Sequence, residues 1–313
     1  MSENLLTKIL KGDRVSIARG ISMVENEHPD ARSLLRDLYF HTVKAYRIGI
    51  TGPPGAGKST ITNKLAKFYR SSGSRVGIIA VDPTSPFTGG ALLGDRVRMT
   101  DVELDDSVFI RSMASRGSLG GLSKRASEAG DVLDASGCEI ILFETVGVGQ
   151  SELDIVRAAD TTVVVLVPES GDSIQAMKAG LMEIADFFVV NKSDRPGADQ
   201  AVMSIKTVLN FKPQTGQWHP DVLQAVANAG KGIEEVAEMI SKHRKYLEDH
   251  RLLEGKRRER VIERIRDLVA ERLRFEFWTD QRKILLDRHL NEVTENRLSP
   301  YDLADLLLNG VPT

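Results

Sequence analysis

One cysteine, Cys138, stands in the 313 residues, which excludes an internal disulfide. Charge of one sign is also missing: 42 Lys and Arg against 44 Asp and Glu leave a formal net charge of −2, no footprint for nucleic acid. No apolar run reaches the roughly eighteen residues needed to span a bilayer. Met1-Ser2-Glu3-Asn4 lacks the basic and apolar regions of a signal peptide, so the chain is expected to be cytoplasmic. There is no internal repeat and no low-complexity segment. Cys138 opens the apolar run 139–143, where it reads as a small buried hydrophobe, a reactive thiol being the alternative.

What is present suits a core. Hydrophobic residues make up 41% of a chain longer than one average domain, which fits one large α/β domain with helical additions. Leu5, Leu6, Ile9 and Leu10, then Val15, Ala18, Ile21 and Val24, then Leu34, Leu35 and Leu38 follow the spacing of short amphipathic helices over 1–44. From Tyr46, apolar and β-branched runs at 46–51, 75–81, 108–111, 139–143, 161–167, 186–190 and 222–226 alternate with helical stretches. That pattern predicts a doubly wound, mainly parallel sheet over 45–247, with Thr51, Asp82, Glu144 and Asn191 at its ligand-binding edge. Beyond 247 only helical periodicity remains: Val261, Ile265, Leu268, Val269 and Leu273, then the aromatics Phe275, Phe277 and Trp278. Glu254, Glu259 and Glu263 interleave with Lys256-Arg257-Arg258, which predicts a solvated helix face for that basic stretch of the helical region 248–313 rather than an anion-binding patch.

Two motifs carry the chemistry. Gly52-Pro53-Pro54-Gly55-Ala56-Gly57-Lys58-Ser59, followed by Thr60, comes directly after the strand 46–51. In a phosphate loop the glycines let backbone N–H groups converge on the phosphates, the lysine reaches the outer phosphates and the serine hydroxyl ligates magnesium. Asn191-Lys192-Ser193-Asp194 closes the run 187–190. There Asp194 accepts hydrogen bonds from the ring N–H and exocyclic amine of guanine, whereas adenine sets lone pairs against the carboxylate. Asn191 would brace the loop and the Lys192 stem would lie over the base. GTP is therefore expected over ATP.

Three further segments surround these motifs. Asp82 ends a strand and leads through a loop rich in Pro and Gly to Asp95. Such a loop orders around a γ-phosphate and its metal, with both aspartates as metal contacts; a purely structural loop is the alternative. Ile140 to Phe143 delivers Glu144, then Thr145, Val146 and Gly147, which places an acid at the metal and a glycine N–H at the γ-phosphate. The next residue is Val148, with Gln150 two positions on; valine cannot orient water, so unassisted turnover is expected to be slow. Asp172, Gln175 and Lys178 lie on one stretch, where ordinary helix surface is the reading from the residues alone.

Together with V-D-P-T-S-P, L-L-G-D-R-V-R-M, F-E-T-V-G-V-G-Q-S-E, G-D-S-I-Q-A-M-K-A-G and S-P-Y-D-L-A, these motifs resemble the MeaB/ArgK/MMAA family along nearly the whole chain. Its members are GTPase chaperones of adenosylcobalamin-dependent acyl-CoA mutases, above all methylmalonyl-CoA mutase. The resemblance implies catalytic or switch roles for Lys58, Asp82, Glu144 and Gly147, and magnesium at Ser59, Asp82, Asp95 and Glu144. It makes Asp172, Gln175 and Lys178 a switch that senses nucleotide and partner, and the C-terminal helices the seat of a homodimer. The guanine-loop pair Ser-Ala of that family stands here as Val226-Ala227, followed by Asn228. A nickel-delivery GTPase and an ATP-dependent kinase or transport ATPase are the alternatives. Against them stand one cysteine with six dispersed histidines, and the N-K-x-D motif.

Overall fold

The computed structural model describes residues 2–42, 45–83, 102, 105–115, 121–145, 157–168, 181–210 and 218–309. The seven runs form seven strands: β1 (Tyr46–Thr51), β2 (Val76–Pro83), β3 (Val108–Ser115), β4 (Ile140–Thr145), β5 (Thr161–Leu166), β6 (Phe187–Asn191) and β7 (Val222–Ala225). They lie in the order β3-β2-β4-β1-β5-β6-β7, every pairing parallel. Helices cover both faces of such a sheet, which is why β1, β4, β5 and β6 are buried at every position and read as continuous apolar runs. The chain leaves the central β1 toward β2 on one side and later reaches β5 on the other. That reversal opens a crevice at the carboxyl ends of the strands.

β2 and β3 run on to Pro83 and Ser115, beyond the expected 81 and 111, and pair there as Pro83 with Ser115. The extension of β3 is Ser112-Met113-Ala114-Ser115, whose single large apolar side chain, the buried Met113, makes no apolar run to read. Proline closes β2 at its last residue, where the missing N–H interrupts no later ladder bond.

Helix α4 (Lys58–Ser71) turns Ile61, Leu65, Ala66 and Tyr69 onto one face of the sheet, against Ile48, Ile50, Leu142 and Val163. The other face takes α5 (Gly121–Ala135) and the N-terminal helices α1 (Ser2–Leu10), α2 (Arg14–Glu25) and α3 (Ala31–Tyr39). Ile9, Ile17, Ile21, Leu34 and Leu38 share one cluster with Ala129, Val132, Leu133 and Phe143. Cys138 belongs to this cluster, and burial pushes its thiol up to about 11, as expected of an inert hydrophobe. Helices α6 (Leu181–Ile184), α7 (Ala198–Asn210) and α8 (Ile233–Asp249) complete the layers.

The chain divides into two compact units, 1–257 and 258–313. Helix α9 (Leu252–Phe277) contributes Leu252 to Arg257 to the first. Lys256 and Arg257 are not the solvated face that their sequence predicts. Arg257 grips the fully buried Asp160 carboxylate through Nη2 at 2.8 Å and Nε at 3.2 Å, and Lys256 reaches the Asp186 carboxylate at 3.4 Å. The same Asp160 accepts the Arg47 backbone N–H at 3.0 Å. The roots of β1, β5 and β6, opposite the ligand crevice, are thus fixed by charge-assisted hydrogen bonds.

In the second unit, α10 (Asp280–Thr294) and α11 (Pro300–Asn309) pack together, with the Arg282 guanidinium 4.4 Å from the centre of the Phe277 ring and donating to Leu307 O at 3.1 Å. Ile265, Val269 and Leu273, four apart on α9, are each more than half exposed. Among the described residues no helix is long and apolar enough to cross a membrane.

Candidate nucleotide-binding site

The loop between β1 and α4 owes its path to two glycines. Gly52 has φ +136° and Gly57 φ +88°; a Cβ on Gly52 would lie 2.0 Å from Val165 O, and one on Gly57 would lie 2.3 Å from Asn191 Nδ2. Only glycine lets the loop lie this close to β5 and β6. The Lys58 ammonium folds back over the loop and donates to the carbonyls of Gly52 and Pro53, each at 2.8 Å.

Asn191 joins the two motifs. Its Nδ2 donates to Ala56 O at 2.8 Å, and its Oδ1 accepts the Ala227 N–H at 3.1 Å. One buried amide therefore ties the phosphate loop to the segment after β7. Lys192, held at φ +56°, donates from Nζ to Gly55 O at 2.8 Å. Ser193 is tied to Ala225 O through its N–H at 3.0 Å and its hydroxyl at 3.1 Å. Asp194 follows, exposed at the cleft.

At the phosphate end, the Ser59 hydroxyl donates to Glu144 Oε1, and Thr145 Oγ1 donates to Thr51 Oγ1 at 3.0 Å. Glu144 is buried at the end of β4, in register with Ile50 of β1. A hydroxyl and a carboxylate side by side are hard oxygen donors of the kind magnesium takes when phosphates complete its shell. Ser59 and Glu144 therefore fit that ion. Among the described residues no three His, Cys, Asp or Glu gather as a metal cluster.

These groups line one cleft of about 730 Å³, with Pro54, Gly55, Gly57, Lys58, Ser59, Thr60 and Glu144 toward the phosphate loop and Asn191, Lys192, Asp194, Val226, Ala227 and Asn228 at the other end. Gly52 and Ala56 are buried behind that wall. Thr145, Arg195 and Ala229 line the cleft as well; the sequence motifs do not single them out, although each adjoins a residue that they do. The Asp82 backbone lies near the end of β2, opposite Ala114 of β3. Asp95, Gly147, Asp172, Gln175 and Lys178, with Val148 and Gln150, lie outside the described residues.

Comparison with known proteins agrees with this geometry. Residues 17–282 match the family model described as methylmalonyl Co-A mutase-associated GTPase MeaB. A putative GTPase of Pyrococcus abyssi is 47% identical over 99% of this chain and 97% of its own length. The mitochondrial methylmalonic aciduria type A homolog of Mus musculus is 32% identical over 98% of this chain and 79% of its own. The crystal structure of an LAO/AO transport system kinase shares the fold with a TM-score of 0.74 at 27% identity, over 98% of this chain and 96% of the other. The chain therefore belongs to the MeaB family of GTPases.

Proposed function

We propose that this GTPase uses its bound nucleotide to control association with an adenosylcobalamin-dependent acyl-CoA mutase in the cytoplasm, methylmalonyl-CoA mutase first among candidates, gating cofactor loading or protecting the mutase. The observation that carries this reading is the family match over residues 17–282, in a chain whose phosphate loop and Asn191–Asp194 motif share one cleft.

In that cleft Lys58 leaves its own loop carbonyls to neutralise the outer phosphates of GTP, while the loop N–H groups cradle them. Ser59 and Glu144, with Asp82 and Asp95, would hold magnesium, which supplies charge neutralisation at the β- and γ-phosphates. Asp194 accepts from the guanine N1–H and 2-amine. The Gly147 N–H meets the γ-phosphate, and Asp172, Gln175 and Lys178 carry the nucleotide state to the mutase. With Val148 after Gly147, water is poorly oriented until the partner binds.

The exposed stripe Ile265, Val269 and Leu273 on α9 supports a homodimer through the C-terminal helices, since a contiguous apolar patch on a soluble chain marks an interaction surface. Size-exclusion chromatography with light scattering tests both partners at once. The free chain is expected to elute at twice its monomer mass. With purified methylmalonyl-CoA mutase it is expected to co-elute, to different extents with a non-hydrolysable GTP analogue and with GDP. A monomer would remove the dimer, and no co-elution in either nucleotide state would remove the mutase.

A further inference from the structure

A cavity of about 620 Å³ opens among α1, α2 and α3 and shares no lining residue with the nucleotide cleft. Ser16, Arg19 and Met23 bring one face of α2 to it, Leu5 and Lys8 bring one face of α1, and Leu34 comes from α3. Asp13 at the N-terminal end of α2, and His28 and Asp30 beyond its C-terminal end, bound it lengthwise. From Ser16 to Met23 the helix rises about 10 Å, the length of a short chain rather than of a helical peptide. The volume lies within the range of small-molecule sites.

The floor of the cavity is apolar: Leu34 is buried in the cluster that joins the N-terminal helices to the sheet, and Leu5 and Met23 pack partly buried against that cluster. The carboxylates around it already have partners. Asp13 caps α2 by accepting the Ser16 N–H at 2.8 Å, and hydrogen bonds from Ser16 hold it below the usual carboxylate range, with Lys8 the smallest contribution. The Asp30 carboxylate lies 3.8 Å from His28 Nδ1. Lys8 and Arg19 are exposed, and among the described residues neither side chain forms a hydrogen bond or an ion pair. Two uncommitted cations over an apolar floor suit a ligand with one anionic head and an alkyl tail: the head gains charge-assisted hydrogen bonds and the tail leaves water. We infer that this cavity binds an aliphatic monocarboxylate of medium chain length, its head at Lys8 and Arg19 and its tail along Leu5, Met23 and Leu34. The site does not depend on the reading of the nucleotide cleft.

Octanoate is the probe, titrated into the full chain carrying methyl-labelled methionine and followed by NMR at the Met23 methyl, which Met23→Leu assigns. A saturable shift of that resonance is expected. Acetate, which has the head alone, and octylamine, which has the tail and the opposite charge, should each bind at least about tenfold more weakly. Arg19→Met keeps an apolar stem and removes the charge at an exposed position. Octanoate should bind to it about three- to tenfold more weakly, while GTP affinity matches wild type. No saturable Met23 shift with octanoate overturns the site. Octylamine binding as tightly as octanoate, acetate doing so, or an octanoate affinity unchanged in Arg19→Met overturns the proposed ligand class.

Discussion

Asp194→Asn is expected to weaken GTP binding by about 3 kcal/mol, on the order of a hundredfold, and to strengthen binding of xanthosine triphosphate. The carboxylate accepts from two guanine donors, and an amide in its place meets the 2-amine with a donor of its own. Xanthine carries a carbonyl at that position, which the new amide can satisfy. Asp194 is exposed at the cleft rather than packed in the core, so the melting temperature should stay close to wild type. Titration calorimetry with both nucleotides checks the result, and GTP affinity unaltered by the substitution would remove Asp194 from the base contact.

Gly52→Ala should act through the backbone. At φ +136°, with the added methyl falling 2.0 Å from Val165 O, the alanine must push the loop off β5 or force a rare backbone state, since a strand carbonyl cannot yield as the end of a flexible side chain can. A loss of about 4 kcal/mol or more of stability, nucleotide affinity or both follows. Gly55→Ala is the contrast. It also has positive φ, +75°, but nothing lies within 4 Å of its Cβ position, so only the left-handed backbone cost of about 1 kcal/mol applies. Thermal unfolding and GTP titration of both variants check the difference. Equal, small losses would mean that the loop does not sit against β5.

The sheet was legible because each strand is a local event: a β-branched or apolar run bounded by glycine, proline or a charged turn. Its binding edge was legible because Thr51, Glu144 and Asn191 each end such a run or follow it directly. What the sequence hid is long-range pairing. Lys256-Arg257 reads as solvated because the glutamates that interleave with it are visible, whereas its actual partners, Asp186 and Asp160, stand 70 and 97 positions away. The tie between the two nucleotide loops is hidden in the same way: the Ala227 N–H finds its acceptor, Asn191 Oδ1, 36 positions earlier. The second half of β3 was lost for a different reason: on this edge strand Ser112-Met113-Ala114-Ser115 carries one large apolar side chain and gives no apolar run to read.

The proposed function stands or falls on coupling between the nucleotide and a mutase, and it is measured by steady-state GTP hydrolysis with increasing purified methylmalonyl-CoA mutase. Turnover of the free chain should be slow, on the order of 10⁻² s⁻¹ or less. Saturating mutase should stimulate it roughly five- to 150-fold, the range of an ordinary coupling free energy. A rate of about 10 s⁻¹ without partner, or a rate that stays flat as acyl-CoA mutase is added, would contradict the coupling.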